Sequence, residues 1–131
     1  MDFDHFGGKN SGSRITGIKV PLKDGASITV AAWLNPKHGS AIQRYTKGKN
    51  VLLQAGAFDT QESERLFCRA MSEAILLGWD GMTENGDPLV YSTLTCERIL
   101  FERPGFRAFV VALSQEEETF RSDEDGETGK G

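Results

Sequence analysis

LGWDGMTENGDPLVYS, at residues 77–92, sets the order of the secondary-structure elements around it. It holds an Asp-Gly pair at 80–81 and an Asn-Gly pair at 85–86, and such pairs favour tight turns because they tolerate positive φ. We therefore predict a loop or tight hairpin between two helices. An acidic calcium loop is excluded, because Met82 and Asn85 stand where the EF-hand needs an oxygen ligand and a glycine.

The segment before this loop has the pattern of an amphipathic helix that begins at Asp59. Asp59 and Glu62 have the spacing of a capping box, and Gly78 is well placed to end the helix. Apolar residues recur at intervals of three and four residues, which predicts one buried face. They are Leu66, Phe67, Ala70, Met71, Ala74, Ile75 and Leu77.

Two shorter helices are predicted after the loop. Ser92 caps the first of them, from Thr93 to Glu102, and Pro104 starts the second. The inward-facing residues of the first helix are Leu94, Ile99 and Leu100. The apolar stripe of the second consists of Phe106, Phe109, Val110 and Leu113.

A β-hairpin is predicted near the start of the chain. Apolar residues alternate with other residues in Ile15–Leu22 and in Ser27–Leu34, as in strands with one buried face. The intervening Asp24-Gly25 pair suits a type I′ turn. Pro21 indicates an edge strand, because proline cannot donate a hydrogen bond to a neighbouring strand.

Asn35 and Pro36 begin a further helix that extends to about Lys47, since asparagine is a good N-cap and proline suits the first helical position. Its apolar face contains Ala41, Ile42 and Tyr45. Basic residues near Tyr45 form either a weak nucleic-acid patch or an ordinary solvated face, and the near-neutral body of the chain favours the second. They are Lys37, His38, Arg44, Lys47 and Lys49.

Composition places the chain among soluble intracellular proteins. Its 131 residues suit one domain, and no apolar run reaches the roughly 18 residues of a membrane span. The first ten residues do not resemble a secretory signal. Cys68 and Cys96 belong to no CxxC pair, so we expect two buried thiols rather than a disulfide.

Charge is unevenly distributed along the chain. Residues 114–131 contain seven acidic and two basic residues, a net charge of −5, whereas the whole chain carries −4. The preceding body therefore carries +1. An acidic end repels nucleic acid and favours solubility, so we expect no nucleic-acid partner.

These patterns predict an α+β fold, with an N-terminal β-hairpin followed by a small bundle of about four helices. We expect a flexible leader at residues 1–14, a single α+β domain at 15–120 and a disordered acidic tail at 121–131.

The residue patterns do not assemble a catalytic site. His5 and His38 have no partners that suggest a proton relay, and the chain lacks a nucleophile elbow, zinc-ligand spacing and a phosphate-binding loop. We therefore expect no enzymatic activity, no metal and no cofactor.

Aromatic residues are concentrated near the acidic end: Phe101, Phe106, Phe109 and Phe120. Two interpretations stay open. They either pack in the core, or part of them lines an exposed groove that holds an apolar helix of a partner.

The loop at 77–92 resembles a motif of phage tail assembly chaperones. In that family a helix ends in a Gly-Trp-Asp-Gly turn, and an acidic-Gly-acidic-Pro-Leu segment leads into a capped helix. The residues that carry the likeness are Trp79, Asp80, Gly81, Pro88 and Leu89. PGFRAFV at 104–110 is similar to the family's closing helix, and VAAWLNP at 30–36 to its strand before an Asn-Pro-capped helix.

The likeness covers roughly residues 15–120 and is distinctive at 77–110. Two features depart from the family pattern. Leu94-Thr95-Cys96 is less favourable to a helix than the usual residues after the cap, and the first long helix is rich in glycine.

The resemblance implies a non-catalytic protein that coats the phage tape measure protein before the tail tube assembles on it. It also implies contact with tail tube subunits, a location in the host cytoplasm and absence from the mature virion. The expected partner-binding residues are Phe101, Phe106, Phe109 and Val110. The alternatives are a structural head–tail connector or minor tail protein, and a small phage-encoded inhibitor of a host protein. Homo-oligomerisation is left open.

Overall fold

The computed structural model describes residues 12–47, 60–116 and 120. Within them the helices are α1 (Gly12–Thr16), α2 (Pro36–Thr46), α3 (Thr60–Ala74), α4 (Thr93–Glu102) and α5 (Pro104–Ser114). The strands are β1 (Ile18–Pro21), β2 (Ser27–Val30), β3 (Leu76–Asp80), β4 (Thr83–Glu84) and β5 (Asp87–Pro88). The predicted α+β class, with an N-terminal hairpin followed by helices, is confirmed.

The N-terminal hairpin has the predicted turn. β1 pairs antiparallel with β2, and Ile18 lies opposite Val30. Asp24 and Gly25 have φ values of 61° and 77°, as a type I′ turn requires. β1 is an edge strand, as Pro21 indicated.

The sheet has a third strand that the sequence analysis assigned to a helix. α3 ends at Ala74 rather than at Gly78, and β3 pairs antiparallel with β2, with Trp79 opposite Ile28. A short apolar run fits a buried helix end and a buried strand equally well. The available edge of β2 determines the outcome, because pairing there satisfies backbone groups that would otherwise be buried without partners.

The loop that follows β3 is a tight hairpin, one of the two forms predicted for it. β4 pairs with β5, and Glu84 lies opposite Asp87. Asn85 and Gly86 form the turn, with φ values of 54° and 84°. The hairpin has only two residues in each strand, so contacts with the rest of the domain must hold it in place.

Two of the predicted helix caps are present. Asn35 Oδ1 accepts a hydrogen bond from His38 N at 3.0 Å, and Ser92 Oγ accepts one from Thr95 N at 3.1 Å. Asn35 also donates through Nδ2 to the carbonyl of Ala74 at 3.1 Å, which ties the start of α2 to the end of α3.

The core lies between the three-stranded sheet and α3, α4 and α5. Its buried members are Ile28, Val30, Cys68, Met71, Ile75, Leu76, Trp79, Cys96, Ile99, Leu100 and Val110. Cys68 and Cys96 are buried free thiols, as predicted. In the described part of the chain, no helix combines the length and apolarity needed to cross a membrane.

Several side chains differ from the predicted pattern. Leu94 was expected to face inward but is 77% exposed, because α4 packs through the face that carries Ile99 and Leu100. Phe67 is 42% exposed. Ser72, which is outside the predicted apolar face of α3, is buried, and its hydroxyl donates to the carbonyl of Arg69.

Other predictions fall partly or wholly on residues that the structure does not describe. The capping box at Asp59, Lys49 of the basic patch and the tail at 121–131 lie outside the described residues. α1 overlaps the end of the predicted leader at 1–14, and the Arg14 carbonyl accepts a hydrogen bond from Ala32 N at 2.8 Å.

Candidate binding site

A pocket of about 300 Å³ lies between the β4–β5 hairpin and the junction of α4 with α5. We call it the hairpin pocket. Its apolar lining residues are Trp79, Met82, Leu89, Ile99 and Phe106. Its polar lining residues are Thr83, Glu84, Asn85 and Arg103.

Trp79 forms the floor of this pocket and is held firmly. Its Nε1 donates to the carbonyl of Leu89 at 2.7 Å, and the ring of Tyr91 packs edge-on against it with centroids 5.0 Å apart. Leu89 N donates in turn to the Met82 carbonyl at 2.9 Å. These contacts fix the base of the hairpin on the end of β3.

Tyr91 anchors the segment between the hairpin and α4. Its hydroxyl lies 2.7 Å from the Leu76 carbonyl and 3.1 Å from the Ser72 carbonyl, and it donates its single proton to this pair of acceptors. Burial raises the pKa of Tyr91, so the hydroxyl stays protonated and available as a donor.

Gly81 permits the sharp change of direction between β3 and β4. Its φ is +72°, and a Cβ placed there would lie 3.1 Å from Ala26 Cα. Only glycine combines this conformation with so close an approach at little cost. The hairpin therefore rests directly on the turn that ends at Ala26.

A cluster of charges links the hairpin to the helices. Glu84 accepts hydrogen bonds from Arg98 Nη2 at 2.9 Å and Nη1 at 3.1 Å, and from Arg103 Nη2 at 3.2 Å. Arg98 also donates to Glu102, one turn along α4. Hydrogen bonds from Arg98 and Arg103 lower the pKa of Glu84, so it stays ionised at neutral pH.

The predicted partner-binding residues do not form one surface. Phe106 is half-buried and lines the hairpin pocket, whereas Phe109, one turn further along α5, is 43% exposed. Val110 is fully buried in the core. A surface on α5 can therefore include Phe106 and Phe109, but the side chain of Val110 is not accessible.

Phe101 lies elsewhere, beside a shallow pocket of about 390 Å³ that is also lined by Arg65 and Leu94. The guanidinium carbon of Arg65 is 4.2 Å from the centroid of the Phe101 ring, a cation–π contact. Phe101 and Phe106 thus line different pockets.

The five motif residues also lie at different places in the structure. Trp79 and Leu89 line the hairpin pocket, and Gly81 positions the hairpin. Asp80 is exposed, and its Oδ2 lies 3.8 Å from Nζ of Lys19. Pro88 is exposed on β5. The structure therefore brings two residues of the motif, Trp79 and Leu89, together with Phe106 of the predicted partner surface.

The two thiols and the described histidine are buried. Burial raises the pKa of Cys68, and it raises the pKa of Cys96 to about 12. Burial also lowers the pKa of His38. His38 Nδ1 lies 3.1 Å from the Trp33 carbonyl, which indicates that this nitrogen carries the proton, and Nε2 has no partner among the described residues.

Two of the basic residues predicted near Tyr45 are buried or paired. His38 is buried and neutral, and Arg44 pairs with Glu73. The Tyr45 hydroxyl donates to the same carboxylate.

Sequence reasoning did not find the cluster of Glu84, Arg98 and Arg103. Only the Arg98–Glu102 pair has a local signal, the i,i+4 spacing on a helix. Glu84 lies 14 residues from Arg98, and their contact depends on how the hairpin folds back.

Residues 34–131, about three quarters of the chain, match the model of a family described as YdaY prophage protein. No curated protein and no solved structure matches the chain.

Proposed function

This chain belongs to the YdaY prophage protein family, and we propose that it is a non-catalytic tail assembly chaperone. In this proposal it binds apolar stripes of the helical tape measure protein in the host cytoplasm. It keeps that protein soluble while the tail tube assembles, contacts tail tube subunits, and is left out of the mature virion.

The observation that carries the proposal is the apolar row on α5. Phe106 and Phe109 are one helical turn apart, so their side chains lie on the same side of the helix. Phe109 is 43% exposed and Phe106 lines an open pocket. An apolar row beside a pocket is the arrangement by which grooves hold amphipathic helices.

The state of the reactive side chains supports a non-catalytic role. Cys68 and Cys96 are fully buried with raised pKa values, so they are thiols rather than nucleophilic thiolates at neutral pH. None of the described residues that line the hairpin pocket is a histidine or a cysteine.

The charge distribution supports a solubilising role. Seven acidic residues follow Ser114 in the sequence. A partner that exposes apolar stripes aggregates easily, and a complex with added negative charge is more soluble.

Co-purification with the tape measure protein of the same prophage tests the proposal. The tagged chain is co-expressed with that protein, and Phe109→Ala is compared with the wild type. We expect Phe109→Ala to lower the apparent affinity about tenfold, as truncation of an interface aromatic does, while its melting temperature stays near the wild-type value.

Leu34→Ala is the matched control, because Leu34 is 83% exposed and lines neither the hairpin pocket nor the pocket beside Phe101. It should bind as the wild type does. Unchanged binding by Phe109→Ala, or an equal loss with Leu34→Ala, would contradict the proposed surface.

Mass spectrometry of purified virions separates a chaperone from a structural tail protein. A chaperone is absent from the particles, whereas a head–tail connector or minor tail protein persists in fixed copy number. A host-directed inhibitor would instead co-purify with a host protein and not with the tape measure protein.

A further inference from the structure

We infer that the hairpin pocket holds one large apolar side chain of a helical partner segment that also carries a carboxylate one turn away. Arg103 binds that carboxylate. The inference rests on the proposed function, because the helical partner is the one proposed there, and it adds a sequence preference.

The size and lining of the pocket define the apolar part of the preference. About 300 Å³ is at the small end of ligand pockets. It can hold a leucine, methionine or phenylalanine side chain. Trp79, Ile99 and Phe106 supply apolar walls, and an apolar side chain packed against them gains from leaving water.

The charges at the rim define the polar part. Glu84 is only 19% exposed in its side chain, and both of its oxygens accept hydrogen bonds from Arg98. Both oxygens of Glu84 are therefore already engaged within the protein.

Arg103 is the solvent-facing charge of the rim. Its side chain is 56% exposed, and it contributes one hydrogen bond, through Nη2, to Glu84. A guanidinium has five N–H donors in a planar fork that matches a carboxylate. Arg103 can therefore still donate to a partner carboxylate, whereas a partner lysine or arginine meets only Glu84 among the acids that line the pocket, and the oxygens of Glu84 already accept hydrogen bonds from Arg98 and Arg103.

The spacing follows from the position of Arg103 beside the pocket. Arg103 is itself a lining residue, so the carboxylate must lie close to the inserted side chain. On a helix, residues three or four apart are about 5–6 Å from one another. A partner helix therefore presents the apolar residue and the acid at i and i+3 or i+4.

Synthetic helical peptides test this preference directly. One peptide carries leucine at position i and glutamate at i+4, a second replaces the glutamate with lysine, and a third replaces the leucine with alanine. Affinity for the full chain is measured by fluorescence polarisation. We expect the Leu–Glu peptide to bind about fivefold tighter than the Leu–Lys peptide, in line with an exposed charge pair, and tighter than the Ala–Glu peptide.

Arg103→Glu should reverse the order of the two affinities, so that the Leu–Lys peptide binds better than the Leu–Glu peptide. Lys37→Glu makes the same change in net charge on α2, away from the hairpin pocket, and should preserve the wild-type order. Thermal melting of both variants checks that they are folded.

Equal affinities for the Leu–Glu and Leu–Lys peptides, or an order unchanged by Arg103→Glu, would overturn the inference. So would the absence of measurable Leu–Glu binding at millimolar peptide. A wild-type chain that self-associates, and loses self-association on Arg103→Glu, would assign the pocket to a second copy and also overturn it.

The peptide result is independent of the tape measure protein. If the peptides bind in the expected order but the tape measure protein does not co-purify, the proposed function fails while the pocket preference stands. If Phe109 governs co-purification but peptide charge has no effect, the preference alone fails.

Discussion

Gly81 and Asn35 show how single residues position the elements of the fold. Gly81 lets the hairpin turn back onto Ala26, and Asn35 ties the first turn of α2 to the end of α3. Asn35 was predicted as a helix cap from its own chemistry. Its contact with Ala74 was not predictable, because it joins residues 39 apart in the sequence.

Gly81→Ala should destabilise the protein more than Gly86→Ala. Both glycines have positive φ, where a Cβ costs about 1–2 kcal/mol. A Cβ at Gly81 also meets Ala26 Cα at 3.1 Å, whereas a Cβ at Gly86 meets nothing within 4 Å. Urea unfolding of both variants measures the difference. Equal losses of unfolding free energy in the two variants would show that the β4–β5 hairpin does not rest on the turn that ends at Ala26.

Turns and helix ends were predictable where they depend on residues close together in the sequence. The Asp24-Gly25 and Asn85-Gly86 turns and the Ser92 cap depend on neighbouring residues, and the structure has all three. β3 was missed because its conformation depends on the edge of β2, which is remote in sequence. Trp79 and Phe106 likewise line the same pocket only because the tertiary fold brings together residues that are remote in sequence.

The junction between β2 and α2 contains a buried base. His38 is 2% exposed, and its ring packs edge-on against Trp33 with centroids 4.5 Å apart. Burial lowers its pKa in the folded state, so below the ordinary value of about 6.5 the unfolded chain binds more protons. The unfolding free energy must therefore fall as the pH falls through about 6.5.

His38→Asn should remove this pH dependence, because an asparagine amide can replace the Nδ1 donor but does not titrate. For the wild type we expect a loss of up to about 1.4 kcal/mol per pH unit below pH 6.5. Both proteins contain His5, so the comparison isolates His38. Urea unfolding between pH 7.5 and 5.5 measures the unfolding free energy of both proteins. If it changes equally with pH in the two proteins, His38 is not the group responsible.

For the molecule as a whole, the fold class followed from the pattern of turns, caps and apolar periodicity. Which of the four partner-binding candidates are exposed could not be predicted, because periodicity marks a helix face as apolar without saying which side chains the core covers. Val110 is buried and Phe109, the adjacent residue, is 43% exposed. The proposed chaperone surface is the part of the α5 stripe that the core leaves accessible.

The most direct test of a chaperone role is the solubility of the tape measure protein. It is expressed alone, with the wild-type chain, and with Phe109→Ala, and the soluble fraction is quantified after centrifugation. We expect the wild-type chain to move most of it into the soluble fraction and Phe109→Ala to do so much less. If the soluble fraction is the same with and without the wild-type chain, the protein is not a chaperone for this partner.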